Sequence, residues 1–292
     1  MTVVACLHPT DLRPEVDPLT ARVRRDRTRA DLSPSDAAAL ERALAIGAAW
    51  GLRVVAVAAG PPSADSALRE AYGAGADVLR VDWDAGDDLG AELAGDPRPL
   101  AAALTAAIQG LAPTVVLCGD RSITGGTGVL PALLADGLGA AQALGLTALA
   151  VDGQRLIAER RLDAGRRERL AVPRPAVCSI EAAGVRLRRG PLRRALSAAT
   201  LDVPVVAAAR VAPDPRVRAA TVRPFRPRTH RQPPPSGATP RERLVALTGA
   251  LVAHDPPVLT HPADADEAAG ILLDYLRARG YRAEADASTQ PA

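Results

Sequence analysis

The sequence has no lysine: every one of its 36 Lys/Arg positions is arginine. Such uniformity reads as a genome-wide codon bias, so being an Arg marks no single position. Aromatics are almost as scarce, at 2% of the chain, and Trp50, Tyr72, Trp83, Phe225, Tyr275 and Tyr281 stand singly. The Arg clusters at 22–29, 186–194 and 210–231 therefore lack the interleaved rings on which single-stranded nucleic acids stack, and the net charge is only +3. These clusters read as solvated surface charge, with a basic rim for an acidic protein partner left open. No nucleic-acid partner is expected.

Only three cysteines occur, Cys6, Cys118 and Cys178, each in or beside an apolar, strand-like run. With no C-x-x-C and no nearby His they offer no metal site and read as small buried hydrophobes. No run of ~18 residues is free of Gly, Pro and charge, which argues against a membrane-spanning helix; the longest candidate, Val129–Val151, contains Pro131, Asp136 and Gln142. No basic stretch precedes an apolar run at the N-terminus, and Val3–Leu7 is too short for a signal peptide. A cytoplasmic protein is expected. Catalytic signatures are missing as well: there is no Gly-Lys-Ser/Thr phosphate loop, no G-x-G-x-x-G after the first strand and no G-x-S-x-G elbow. The chain is not expected to be an enzyme.

What is present is a chain of 292 residues, 48% apolar and 24% charged, long enough for one large soluble domain with an appendage. Val3–Leu7 suits a buried parallel strand. An Arg-rich, Pro-broken loop follows to Leu32, and Ser33-Pro34-Ser35-Asp36 opens a helix, with Ser33 as N-cap and Pro34 at the first helical position. Ala39, Leu40, Ala43, Leu44 and Ile46 give that helix its apolar face before Gly51 stops it. The pattern continues as strand Arg53–Ala58, helix Ser63–Tyr72, strand Val78–Val81, an acidic Gly-rich loop, helix Pro99–Leu111, strand Thr114–Cys118 and helix Val129–Leu138. Strands alternating with helices over short links predict an α/β fold, a mostly parallel sheet with helices on both faces. Beyond Leu146 the pattern changes to short strands, Thr147–Val151, Arg155–Arg161 and Glu168–Val172, a meander turning at Asp152-Gly153 and Asp163-Ala164-Gly165. Ala176–Ile180 returns to a buried strand. The Pro- and Arg-rich stretch from Asp202 lacks periodicity and reads as an extended arm or linker. Short amphipathic helices follow near Pro240–Ala253 and Asp264–Arg279, too small for a core of their own. The reading is thus a domain over residues 1–206, an arm over 207–240, a helical tail over 241–283 that docks on the core or a partner, and a disordered end over 284–292.

Parallel α/β sheets bind ligands at the carboxyl ends of their strands. Three loops take that position here: Cys6–His8, Ala59–Pro62 and Gly119–Gly128. In the third, Gly-Asp-Arg-Ser-Ile-Thr-Gly-Gly-Thr-Gly, the glycines let backbone approach a phosphate and Thr124 and Thr127 add hydroxyls; a plain strand-to-helix turn fits its composition equally. His8 ends the first strand and could face a ligand, but a lone His there is more often incidental. His230, His254 and His261 read as surface residues of the arm and tail.

The order of these segments over residues 1–206 resembles the β subunits of electron-transfer flavoproteins. Ser33-Pro34-Ser35-Asp36 stands at the family's Asn-Pro-Phe-Asp/Glu helix start, and Ala58-Ala59-Gly60 at its Val-Ser-Cys-Gly strand end. The run Ser66-Ala67-Leu68-Arg69-Glu70-Ala71-Tyr72-Gly73-Ala74-Gly75-Ala76-Asp77 is similar to the family's Glu-Thr-Leu-Arg-x-Ala-x-Ala-x-Gly-Ala-Asp. Gly125-Gly126-Thr127-Gly128 matches its Asn-Gln-Thr-Gly, and Arg174-Pro175-Ala176-Val177-Cys178-Ser179 its Leu-Pro-Ala-Val-Val-Thr. The resemblance implies a Rossmann-like adenine-nucleotide-binding fold and a structural AMP in this subunit. It also implies a redox-active FAD held mainly by an α subunit in a heterodimer, and electrons passing from a donor dehydrogenase to a membrane-bound quinone oxidoreductase or other acceptor.

By position, the implied cofactor contacts are Ala5, Cys6, Ser33, Pro34, Ser35, Asp36, Ala59, Gly60, Gly119, Asp120, Arg121, Ser122, Thr124, Gly125, Gly126, Thr127 and Gly128. The family's partner-anchoring Leu falls on Leu192, with Arg193 and Arg194 beside it; an ordinary helix whose Leu192 and Leu196 face the core has the same spacing. Departures are visible. The Asp-Leu-Arg…Pro-Arg-Tyr signature has become Glu181-Ala182-Ala183…Leu187-Arg188-Arg189, and the nucleotide loop is about three residues shorter than the family's. An aromatic near the flavin is replaced by Leu12, and the Phe of the helix start by Ser35. A subgroup encoded beside mycofactocin genes is the placement these departures suggest.

Overall fold

The computed structural model describes residues 1–24, 26, 30–83, 96–182, 184–209, 212, 214–217, 223–224, 226–227, 234–235, 237–248 and 259–280. The acidic loop after the third buried strand, the Arg cluster at 210–231 in large part, residues 249–258, His230, His254, Phe225, Tyr281 and the end over 284–292 lie outside the described residues. The chain forms two compact units, Met1–Arg226 and Pro227–Ala292.

The first unit is built on a nine-stranded sheet. Its strands are β1 (Thr2–Leu7), β4 (Arg53–Gly60), β5 (Asp77–Asp82), β6 (Pro113–Gly119), β7 (Ala141–Asp152), β8 (Arg155–Arg161), β9 (Arg167–Val172), β10 (Ala176–Ile180) and β11 (Val205–Ala207); β2 (Glu15–Val16) and β3 (Val23–Arg24) make a separate small hairpin. The order across the sheet is β11-β5-β4-β1-β6-β10-β7-β8-β9. Every pairing from β11 to β7 is parallel, and β7-β8-β9 is antiparallel.

Both faces of the parallel part are buried, which is why β1 and β6 are nearly continuous apolar runs. Val3, Ala5 and Leu7 face the side covered by α1 (Pro34–Trp50) and α2 (Asp65–Ala74). Val4 and Cys6 face the side covered by α3 (Arg98–Gln109) and α4 (Leu130–Leu138). The expected starts and stops hold for α1: Ser33 caps its first turn, Pro34 stands at its start and Gly51 ends it at φ +63°. The chain enters α2 through a 3-10 turn at Pro62–Ala64, so the helix begins two residues later than its composition suggests.

Three differences from the sequence expectation are informative. The strand expected to begin at Thr147 begins at Ala141. Its first half pairs in parallel with β10, and it bends at Gly145, whose φ is +67° and whose N–H donates to Ser179 Oγ at 2.8 Å. Within the stretch read as an arm, Val205–Ala207 adds to the sheet edge beside β5. Leu192 and Leu196 do not face the core: α5 (Leu192–Ala199) leaves them 74% and 65% exposed. In the second unit, α6 (Pro240–Thr248) and α7 (Ala265–Ala278, capped by Asp264) bury none of their residues.

Candidate nucleotide site at the switch point

From β1 the chain runs through α1 to β4 on one side, whereas from β5 it crosses through α3 to β6 on the other. β1 and β6 are neighbours, so the crevice between their carboxyl ends is the topological switch point, the usual ligand position in such sheets. Residues from three separate segments meet there.

The first segment is the start of α1. Ser33 Oγ accepts the Asp36 N–H at 3.0 Å and donates to Asp36 Oδ2 at 2.7 Å, with Ser35 Oγ 3.0 Å away. Ser33, Ser35 and Asp36 are all buried, while Pro34 is exposed. The backbone amides of His8 and Gly119 also favour the charged form of the Asp36 carboxyl, which stands close to the ends of both β1 and β6. Burial pushes the carboxyl above its ordinary range; the Ser33 hydroxyl and the nearby His8 act in the opposite sense. Gly119 permits this approach, since a Cβ there would lie 2.8 Å from Ser35 Oγ and 2.9 Å from Asp36 Oδ1.

The second segment is the loop between β6 and α4. Asp120 N–H donates to the Ile180 carbonyl at 3.0 Å, Ser122 N–H to the Thr127 carbonyl at 2.9 Å and Gly126 N–H to the Ser122 carbonyl at 2.8 Å. Ser122 Oγ accepts the Gly125 N–H at 3.0 Å and lies 3.1 Å from Thr124 Oγ1. Gly126 sits at φ +63°, a conformation favouring glycine. A Cβ on Gly128 would come within 2.6 Å of the Asp120 carbonyl. Arg121, Gly126, Thr127 and Gly128 are exposed, as are the apolar Ile123 and Val129 on the rim.

The third segment is β1 itself. Ala5 and Cys6 are buried within the sheet, and His8 beyond them places Nε2 3.1 Å from Thr124 Oγ1. The place of His8 at the end of the first strand leaves both a ligand-facing and an incidental role open, and its ring meets the 119–128 loop. Ala59 and Gly60 lie one strand further, at the end of β4, where the Gly60 carbonyl accepts from Arg80 Nη1 at 3.1 Å. The thiols are chemically quiet. Contact with Cys6 and burial push Cys118 up, and burial pushes Cys178 to about 12. Among the described residues no three His, Cys, Asp or Glu side chains are grouped to hold a metal, and no helix is long and apolar enough to cross a membrane.

A second patch lies on α5. The helix and the segment leading into it seat on α2 through small residues: a Cβ on Gly190, ahead of the helix, would fall 1.7 Å from the Gly73 carbonyl, and a Cβ on Gly73 would rest 3.7 Å from Ala195 Cα. Arg194 turns inward, with Nε donating to the Tyr72 carbonyl at 2.6 Å and Nη2 to the Ala76 carbonyl at 2.8 Å. Arg193 is exposed beside Leu192 and Leu196.

The electron transfer flavoprotein domain family matches residues 20–213. A protein of Thermoanaerobacterium thermosaccharolyticum named electron transfer flavoprotein subunit beta is 32% identical over 150 residues, 51% of this chain and 56% of its own. One of the same name from Clostridium acetobutylicum is 32% identical over 160 residues, covering 53% and 59%. The chain thus spans less than two thirds of these two relatives. Protein FixA of Azorhizobium caulinodans is 32% identical over 216 residues, covering 70% of this chain and 74% of that one. The switch-point architecture and these likenesses converge, and the chain belongs to the electron transfer flavoprotein family, among its β subunits.

Proposed function

We propose that this chain is the non-catalytic β subunit of a heterodimeric electron carrier. It holds AMP as a structural ligand at the switch point and helps enclose an FAD held mainly by an α subunit. FAD, when bound, supplies the electron-carrying chemistry, and protein supplies its position and surroundings. The observation that supports AMP is the way donors are divided at the crevice. Asp36 already places a carboxyl where an anion would sit at the start of α1. That end suits hydroxyl groups of a nucleoside, and the phosphate falls to the 119–128 loop. There Thr127 is exposed, and its hydroxyl is no part of the side-chain hydrogen bonds that join Ser122, Thr124 and His8.

The exposed face of α5 is the docking site for a donor dehydrogenase, with Leu192 as apolar centre and Arg193 on the rim. A membrane-bound quinone oxidoreductase or other acceptor takes the electrons. The helices α6 and α7, which bury nothing, dock on the α subunit. A cytoplasmic location and an origin beside mycofactocin genes complete the proposal.

Purification with and without the α subunit tests the reading. The pair is expected to be yellow and to release adenylate on denaturation, the single chain colourless. A flavin-loaded single chain overturns it. The rival is a stand-alone adenine-nucleotide binder of the universal-stress type, which shares a parallel sheet and a glycine loop; a chain that retains adenylate but never pairs with an α subunit favours it.

A further inference from the structure

We propose that His8 is a positioning residue of the switch-point site, a latch that holds the 119–128 loop in shape through Thr124. The inference rests on the nucleotide reading only for its consequence, not for its geometry. The loop lies at the surface, so packing does little to fix it: Arg121 and residues 126–129 are exposed. Its own hydrogen bonds close the turn upon itself, from Ser122 to Thr127 and from Gly125 and Gly126 back to Ser122. Such bonds give the turn a shape but do not fix where it stands. At its base Asp120 N–H is held by the Ile180 carbonyl. Nearer its tip a tie runs from His8 Nε2 to Thr124 Oγ1 at 3.1 Å and spans 116 residues of sequence.

The tie is backed on both sides. Beyond Thr124, Ser122 Oγ lies 3.1 Å away and accepts the Gly125 N–H, so the ring is linked to the loop amides through two hydroxyls. Behind His8, the buried Asp36 carboxyl is favoured in its charged form by the His8 and Gly119 backbone amides. One side chain of α1 therefore stands against both the backbone from which the ring projects and the strand end from which the loop departs. With Thr124 and Ser122 engaged in this chain, Thr127 is the loop hydroxyl left to face a phosphate. A His at this place thus sets which donors the site offers.

Amide hydrogen exchange on the full-length chain tests the latch. His8→Leu and Thr124→Val are each expected to speed exchange at Gly125 and Gly126 about five- to tenfold, the factor one intramolecular hydrogen bond is worth. Combining them should add little, because both remove the same contact. His8→Gln, which keeps a polar group in reach, should recover most of the protection, and the global unfolding midpoint of Thr124→Val should stay near that of the parent. Exchange within a factor of two of the parent in both single variants overturns the latch, as does full additivity in the double variant. Adenylate content is read alongside. Faster exchange in a chain that never held adenylate supports the latch and removes the nucleotide reading. Unchanged exchange in variants that still hold adenylate does the reverse.

Discussion

The guanidinium of Arg194 stands over the ring of Tyr72, its carbon 4.3 Å from the ring centroid, while its Nε donates to the Tyr72 carbonyl at 2.6 Å. One side chain therefore caps the end of α2 and seats α5 upon it. Replacing Arg194 with Ala is expected to destabilise the chain by about 2 kcal/mol, the scale of one charge-assisted hydrogen bond, since the side chain that makes two is one-third exposed. Arg194→Lys should recover less than half of that, since an ammonium does not reproduce the fork. Arg193→Ala, on the exposed side, should stay within about 0.5 kcal/mol of the parent in chemical denaturation.

Leu192 is 74% exposed, so its truncation opens no cavity. Leu192→Ala is expected to leave stability, heterodimer yield and flavin content at parental values, and to slow electron transfer from the donor dehydrogenase at least tenfold in stopped-flow measurements. Arg193→Ala should lower the association rate and flatten its salt dependence, with little change in dissociation. A loss of several kcal/mol in Leu192→Ala would contradict the exposed placement.

Gly126 and Gly128 should respond differently to the same added methyl. At Gly126 nothing lies within 4 Å of a Cβ, and the cost is conformational, about 1 kcal/mol for a left-handed residue. At Gly128 the methyl meets the Asp120 carbonyl at 2.6 Å, so backbone must move and the loss should reach about 2 kcal/mol. Gly126→Val, with its branched Cβ, should exceed Gly126→Ala. In each variant adenylate retention and thermal stability are expected to fall together, because a ligand selective for the folded state stabilises it.

The Asp36 carboxyl is raised above its ordinary 3.8 by burial. The folded chain then binds this proton more tightly than the unfolded chain does. Its contribution is most favourable below 3.8 and is lost as pH rises through the raised folded value. Asp36→Asn removes that titration. The stability difference between variant and parent should therefore move in the variant's favour as pH climbs from about 4 towards neutrality, measured by urea denaturation at several pH values. A difference independent of pH would place the carboxyl in an ordinary environment.

Local chemistry was readable wherever one segment decides the outcome. Ser33, Pro34 and Gly51 announce both ends of α1, and the nearly continuous apolar runs of β1, β6 and β10 announce strands buried on two faces. The glycine loop was readable as a loop, but not the separate tasks of Gly126 and Gly128, which depend on φ and on the Asp120 carbonyl. What escaped was settled by distant partners. His8 finds Thr124 116 residues away, Arg194 finds Tyr72 122 residues away, and Val205–Ala207 is a strand only because β5 offers it an open edge. The early start of β7 escaped for a related reason: Ala141–Leu146 is held by β10, whose residues come 35 positions later at Ala141↔Ala176.

That strand has a mechanical consequence. Over its first half β7 belongs to the parallel sheet, and over its second half to the antiparallel meander with β8 and β9, with no linker between. At the bend, the Gly145 N–H is pinned to Ser179 on the neighbouring strand. The meander is thus a lever arm continuous with the sheet rather than a flap hinged to it. A load applied along β9 is carried through β8, β7 and β10 to β6, whose last residue, Gly119, stands at the switch-point crevice.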